Sequence, residues 1–292
     1  MRKLLRWLGL AFGGLAVLLL IGAGSVWYAS ERALARHHQA APERLAVPTP
    51  QQLADGPRQL RTLGCLGCHG EGLRGDRMFS EPGVATIWAP NLTLVAAHAT
   101  DQQLAQAIRQ GISHDGRALW IMPSGLFSRL SDSETATVIA AIRSLPRGGE
   151  ATPPIAVGPL ARFGIVTGDF ESAPQTIADF QRRIPLRVGP EHEPGRRIAA
   201  IVCADCHAPD LSGGGPGPSA NSPDLAIAAA YDLEQFRTLM RSGRPPSGRD
   251  LGLMGAAARE DLSHFTDSEI AQLHGYLQAR AARLSPPAAP AP

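Results

Sequence analysis

Cys65-Leu66-Gly67-Cys68-His69 and Cys203-Ala204-Asp205-Cys206-His207 are two copies of one five-residue pattern, and together they use all four cysteines of the 292-residue chain. C-x-x-C-H is the attachment pattern of c-type haem. Two thiols three residues apart add across the two vinyl groups of a porphyrin, and the histidine that follows is carried beneath the iron as its proximal ligand. The competing uses of paired cysteines fit less well. Disulfides would form in an exported chain, but they give no reason for a histidine after each pair. A thioredoxin-like motif wants one C-x-x-C beside a βαβ pattern, and neither copy has that context. A zinc site would have to join pairs 138 residues apart. The sequence therefore predicts two covalently bound c-type haems, at Cys65/Cys68 and Cys203/Cys206, with His69 and His207 as axial iron ligands.

Composition agrees. Twenty-eight basic residues against 26 acidic ones leave a formal charge of only +2, without the basic stripe of a nucleic-acid binder. Eight Phe, four Trp and three Tyr are few aromatics for two small cores, and a porphyrin disc would fill the shortfall. A 44% apolar content is too high for a disordered chain.

At the N-terminus Arg2, Lys3 and Arg6 precede an uncharged run from Trp7 to Ala29. That is long enough for a bilayer core needing about 20 residues, and Trp7 and Trp27-Tyr28 bracket it as interfacial belts. A cleavable leader has a shorter apolar region. The reading is a single-pass anchor, residues 1–29, in the bacterial inner membrane, with the rest of the chain in the periplasm. Residues 30–50, polar and ending Pro48-Thr49-Pro50, read as a tether, in which His37-His38 is a solvated pair. The Pro/Ala-rich segment 285–292 reads as a disordered tail.

The chain repeats internally. Pro90-Asn91-Leu92 aligns with Pro223-Asp224-Leu225, Arg109-x-Gly111 with Arg241-x-Gly243, Gly116-Arg117 with Gly248-Arg249, and Asp132-Ser133-Glu134 with Asp267-Ser268-Glu269. A repeat this long is a duplicated domain, not a solenoid. In this alignment Met122 falls on Met254, and both read as loop residues. A soft thioether suits haem iron, so both are candidate sixth ligands; the alternative is that each fills a core gap. Met240 lies in a helical pattern and reads as core, and Met78 has no counterpart. His98, His114, His264 and His274 are rival ligands, but none recurs at matching positions, and His274 lies on an apolar helix face. Helices are expected over Gln51–Gly64 and Glu193–Val202, leading into the two motifs. Ser131-x-x-Glu134 and Thr266-x-x-Glu269 are capping boxes that open apolar helical patterns. The organisation read from this is domain 1 over 51–148, an ordered Pro-rich connector over 149–187, and domain 2 over 188–284.

These motifs, with Pro90-Asn91-Leu92-Thr93, Asp115-Gly116-Arg117, Met122-Pro123 and Leu130-Ser131-Asp132, give the chain a resemblance to class I c-type cytochromes in membrane-anchored dihaem form. It resembles in particular the cytochrome c subunits that accept electrons from periplasmic alcohol, aldehyde or sugar dehydrogenases. Those subunits typically carry three haem motifs, and this chain carries two. The second half also departs: Asp224-Leu225-Ala226 stands for Asn-Leu-Thr, and Gly255 for the proline after methionine. The resemblance implies a mostly α fold, two tandem class I cytochrome c domains behind a transmembrane helix.

The function expected is electron transfer, without catalysis at the haems: iron held by His69 and Met122, or by His207 and Met254, has no open position for substrate. Expected partners are a periplasmic dehydrogenase, a quinol-oxidising complex or a terminal oxidase, and the membrane through the N-terminal helix. The rival class is a dihaem enzyme, peroxidase-like or thiosulfate-oxidising, which needs one iron with an exchangeable or unusual ligand. A gas sensor is a third class; it needs a ligand that leaves.

Overall fold

Helix α1 (Arg2–Leu34) carries the apolar N-terminal run and continues beyond it. Its extension follows from Glu31, Arg32, Ala33 and Leu34, all good helix formers or neutral in that respect. Residues 2–25 are exposed throughout, and the helix is long and apolar enough to cross a membrane, with a mean hydropathy of 2.2 over its best window. The computed structural model describes residues 2–285, so all but the first residue of the tail at 285–292 lies outside the described residues.

The stretch expected as a tether differs from a free linker after Leu34. The Ala41 and Glu43 amides donate to Gln110 Oε1 and Gln102 Oε1 at 2.8 and 2.9 Å, and the His38 amide to the Gly116 carbonyl at 2.8 Å. Glu43 is buried and pairs with Arg109 at 3.3 Å. Polar side chains on a neighbouring helix have satisfied this extended backbone and laid it along the first half.

The first half runs α2 (Pro50–Thr62), α3 (Cys65–His69), strands β1 (Asp76–Glu81) and β2 (Ala85–Ala89), α4 (Leu92–His98), α5 (Asp101–Gln110), α6 (Ser124–Phe127) and α7 (Asp132–Ser144). The connecting segment forms β3 (Ala156–Val157), α8 (Pro159–Thr167) and α9 (Ala173–Arg182). The second half holds α10 (Glu193–Ile198), a π turn over Ala199–Cys203, a 3₁₀ segment Leu225–Ala230, then α11 (Leu233–Ser242), α12 (Leu253–Glu260) and α13 (Asp267–Leu284). Helix predominates, and the antiparallel sheet β1-β2-β3 is an element the sequence reading left out. Its hairpin turns at Pro82-Gly83, and β2 alternates buried Ala85, Ile87 and Ala89 with half-buried Thr86 and Trp88, the two-residue period of a one-sided strand.

Both capping boxes form. The Ser131 hydroxyl accepts from the Glu134 amide at 3.2 Å while Glu134 accepts from the Ser131 amide at 2.7 Å, and Thr266 and Glu269 repeat this at 3.2 and 2.7 Å. They start α7 and α13, the helices against which α2 and α10 pack. Both crossings pass through glycine. A Cβ on Gly56 would meet the Ala141 Cβ at 2.9 Å; one on Gly195 would drive into the Gln272 carbonyl and meet the Tyr276 Cβ at 2.8 Å.

One apolar cluster runs through both halves, from Leu60, Ile108 and Ile139 to Phe236, Ile270 and Leu273. Ions seam its edge. Arg58 bridges Asp55 and Glu269 and donates to the His264 carbonyl at 3.2 Å. Arg129 donates to the carbonyls of Phe180, Ala200 and Arg183 at 2.6, 2.8 and 2.9 Å, tying the first half to α9 and to the π turn.

Candidate metal centres

Each motif is set by the same local machinery. In the first half, Gly64 and Gly70, at φ values of 70° and 72°, isolate α3 as one short helical segment. A left-handed residue at each end favours glycine. Cys65 and Cys68 therefore lie three residues apart on one helix face, and His69 turns inward to 6% exposure. Its Nδ1 lies 2.9 Å from the Pro90 carbonyl, which fixes the tautomer: Nδ1–H donates. Nε2 is left with its lone pair and has no hydrogen-bond partner among the described residues. A metal-ligating histidine is held in this way, one ring nitrogen tied to a carbonyl and the other left free for the metal.

The second half repeats it. His207 is 7% exposed and its Nδ1 lies 2.8 Å from the Pro223 carbonyl. Burial pushes both imidazoles below their ordinary pKa, against the opposing effect of those carbonyls, so both are neutral at pH 7 and competent as ligands.

All four thiols are unpaired. Burial, helped by the neighbouring thiol, pushes Cys65 and Cys203 up to about 12. Such groups are thiols and not thiolates, which argues against a reactive-cysteine or disulfide-exchange site. No cluster of three or more His, Cys, Asp or Glu side chains suited to a bare metal ion occurs among the described residues. Paired free thiols, a neutral imidazole with Nε2 open, and an apolar cluster on which Cys65, Cys203, Met122 and Met254 all border fit a c-type haem at each motif.

Met122 lies in the irregular segment before α6, as expected. Met254 differs: it is in the first turn of α12, which Gly252 opens. Met240 is fully buried core. Among the rival ligands, His98 and His114 are exposed, and His274 is taken by the Tyr231 carbonyl, 2.9 Å from its Nε2, and by the Phe236 ring.

The residues after the two proline carbonyls show how one scaffold accepts two sequences. In the first half, fully enclosed Asn91 donates to the Gly148 and Glu150 carbonyls at 2.8 and 3.2 Å and accepts from Thr93 Oγ1 at 2.7 Å. Asp224, at the matching position, has no amide to donate. It accepts instead from buried Arg280 at 2.6 Å and from the Ala226 amide at 2.7 Å. Burial alone would raise the Asp224 pKa, but these bonds outweigh it and hold the carboxyl below its usual range. The sequence reading missed Arg280 as the partner that makes this replacement workable.

Arg280→Met is expected to cost about 2 kcal/mol, short of a fully buried pair because Asp224 is half exposed. A lowered carboxyl pKa contributes stability above the unfolded value of ~4 and loses it as pH falls through the folded value. The variant should therefore show a smaller acid-side loss than the parent in urea unfolding between about pH 6 and 3. Adding Asp224→Asn should recover part of the loss by restoring the neutral arrangement of the first half. An unchanged urea midpoint for Arg280→Met at pH 7 counts against this role.

Residues 192–281 match the family model for cytochrome c. The second half is therefore similar to a cytochrome c domain. Such a domain carries covalently bound c-type haem, in keeping with the geometry at Cys203, Cys206 and His207. Over 258 aligned residues the chain is 24% identical to the cytochrome c subunit of a quinone alcohol dehydrogenase from Gluconacetobacter polyoxogenes and to that from Komagataeibacter europaeus. Each alignment covers 74% of this chain and 53% of the relative. The chain thus spans about half the length of the curated relatives it matches.

The second half meets the first close to both motifs. α6, just past Met122, packs on the π turn that ends at Cys203. Burial pushes the Cys68 thiol up, and Asp261 and Asp205 lie close enough to raise it further. Asp261 itself is pushed up to about 6, by burial and by Glu260, against the pull of Arg61.

Proposed function

We propose that the chain is a membrane-anchored dihaem cytochrome c that carries single electrons, on the periplasmic side, between a dehydrogenase or quinol-linked donor and a respiratory acceptor. The observation that carries this reading is the doubled constellation: in each half a buried imidazole, anchored through Nδ1 to a proline carbonyl, follows paired free thiols by less than a helical turn. Cys65, Cys68, Cys203 and Cys206 hold the porphyrins covalently. His69 with Met122, and His207 with Met254, would hold the two irons. Haem with both axial positions filled supplies a one-electron Fe(III)/Fe(II) couple and leaves no position for substrate.

The chain's own residues prepare this. The Pro90 and Pro223 carbonyls hold each imidazole in one orientation and increase its basicity toward iron. The shared apolar cluster keeps water from both centres, and burial tunes potential. The approach of α6 to the π turn, and of Asp205 to Cys68, supports passage of electrons within the chain. The relatives' subunits belong to a quinone alcohol dehydrogenase, which supports a dehydrogenase as the partner.

Retention of α1 is supported by Arg162. Its guanidinium is 7% exposed and is committed to the Trp27 ring at 3.7 Å, to Ser30 at 2.9 Å and to Glu31 at 2.6 Å. Cleavage before Ser30 would strip away the ring.

The test is the absorption spectrum of the purified holo protein, oxidised and reduced, with attention to the weak far-red band of Met–Fe(III) coordination. The expected result is two low-spin haems, with Met122→Ala and Met254→Ala each removing about half of the far-red intensity, as two equivalent ligand pairs require. A high-spin component in the parent, or a band that survives both substitutions, overturns the reading and puts an accessible iron, and the enzyme class, in its place.

A further inference from the structure

Helix α8 has an unusual surface. Pro159-Leu160-Ala161-Arg162-Phe163-Gly164-Ile165-Val166-Thr167 contains one charged residue, Arg162, and that residue is buried against α1. The side that faces away is apolar: Leu160, Phe163 and Val166 are 65%, 56% and 45% exposed. They recur every third residue, which keeps them on one side of the helix. A short surface helix in water ordinarily turns charged or polar groups outward.

The position of α8 supplies the reason. Arg162 pins it to the last turns of α1, at Trp27, Ser30 and Glu31. Trp27 and Tyr28 are the aromatic pair at the end of the apolar run, and such pairs sit at headgroup level. Ser30 lies only about 4.5 Å further along the helix axis, at 1.5 Å per residue. The loop of the β1–β2 hairpin is fixed at the same level, since the Leu160 amide donates to the Gly83 carbonyl at 3.0 Å. An apolar cavity of about 270 Å³, lined by Val84, Ile87, Leu160 and Phe170 among others, continues the face.

We infer that α8 lies in the membrane interface, with Leu160, Phe163 and Val166 inserted at the boundary between headgroups and acyl chains, so that the periplasmic body is seated on the bilayer. This rests on the reading of α1 as a retained anchor. One helix alone leaves a globular body free to swing. A second apolar contact, locked to the first by a buried guanidinium, sets which side faces the lipid. Interfacial helices reach roughly 5–10 Å into this boundary, which exposed leucine and phenylalanine side chains can span.

The test uses the full-length holo chain in nanodiscs of phosphatidylethanolamine and phosphatidylglycerol. The motif cysteines are consumed by haem, so single thiols introduced as Phe163→Cys, Leu160→Cys, Leu18→Cys and Ser247→Cys accept a spin label selectively. Collision with oxygen is then compared with collision with a water-soluble nickel chelate. Labels at 163 and 160 are expected to show an oxygen-to-nickel ratio several-fold above that at exposed position 247, approaching that at 18. Water-like ratios at both 163 and 160, with lipid-like values at 18, overturn the seating of α8 and leave the anchor standing. A water-like ratio at 18 removes the anchor and the inference with it.

Discussion

Gly195→Ala is expected to destabilise the holo protein by about 3 kcal/mol or more, the upper end for overpacking a crossing, whereas Gly56→Ala costs about 1 kcal/mol. In an open helix the sign would be reversed, because alanine is the better helix former by roughly 1 kcal/mol. The structure sets both the reversal and the ranking. A Cβ on Gly195 collides with the Gln272 carbonyl on α13 and with the Tyr276 Cβ. Neither can yield: the carbonyl is backbone, and Tyr276 is fully buried with its hydroxyl bonded to the Leu186 carbonyl at 3.0 Å. At Gly56 the obstacle is one methyl, the Ala141 Cβ at 2.9 Å, and a shift of a few tenths of an ångström relieves it. The π turn carrying Cys203 continues directly from α10, so displacing α10 also displaces the attachment site. Urea unfolding of the two variants, read together with haem content, checks the ranking; equal costs would show that α10 and α13 separate without penalty.

These glycines also show where sequence reading stopped. Gly56 and Gly195 precede their motifs by nine and eight residues, yet a glycine in a helical stretch carries no visible purpose until the partner helix is in place. Asp224 is visible in the sequence as a departure from asparagine, but its cation, Arg280, lies 56 residues downstream, beyond the reach of any spacing rule. The hairpin was obscured because β1 is exposed along its whole length and so lacks the alternation that marks a strand. The placement of residues 37–43 rests on contacts 59 to 78 residues away in sequence, chiefly hydrogen bonds to the glutamine side chains of α5, which no local pattern encodes. By contrast, the motifs, the capping boxes and the core position of Met240 are local or periodic features, and each is decided by residues within a turn or two. Met254 lies between these cases. Its alignment with Met122 was readable, but the helix it begins was not, because Gly252 and Gly255 flank it.

Replacing Cys203 and Cys206 together by alanine is expected to halve the covalent haem per chain, and the same is expected for Cys65 with Cys68. On the dihaem reading the attachment sites are separate turns with separate histidines, so neither pair would serve both porphyrins. The pyridine haemochrome of denatured protein measures this directly, because only thioether-bound haem stays with the chain. A variant of Cys203 and Cys206 that loses all haem would show that the first motif carries none. The two losses should differ in their effect on stability. The first half keeps α2 packed on α7 and has the β1–β2 hairpin besides, and Asn91 ties its Pro90 segment to backbone carbonyls. Among the described residues the second half has no sheet, and the long-range side-chain tie of its proline segment is the ion pair of Asp224 with Arg280. Loss of a disc-sized filler leaves a cavity whose cost grows with the volume that cannot collapse. The half with fewer internal ties pays more of that cost as unfolding, so the variant lacking Cys203 and Cys206 should melt at the lower temperature.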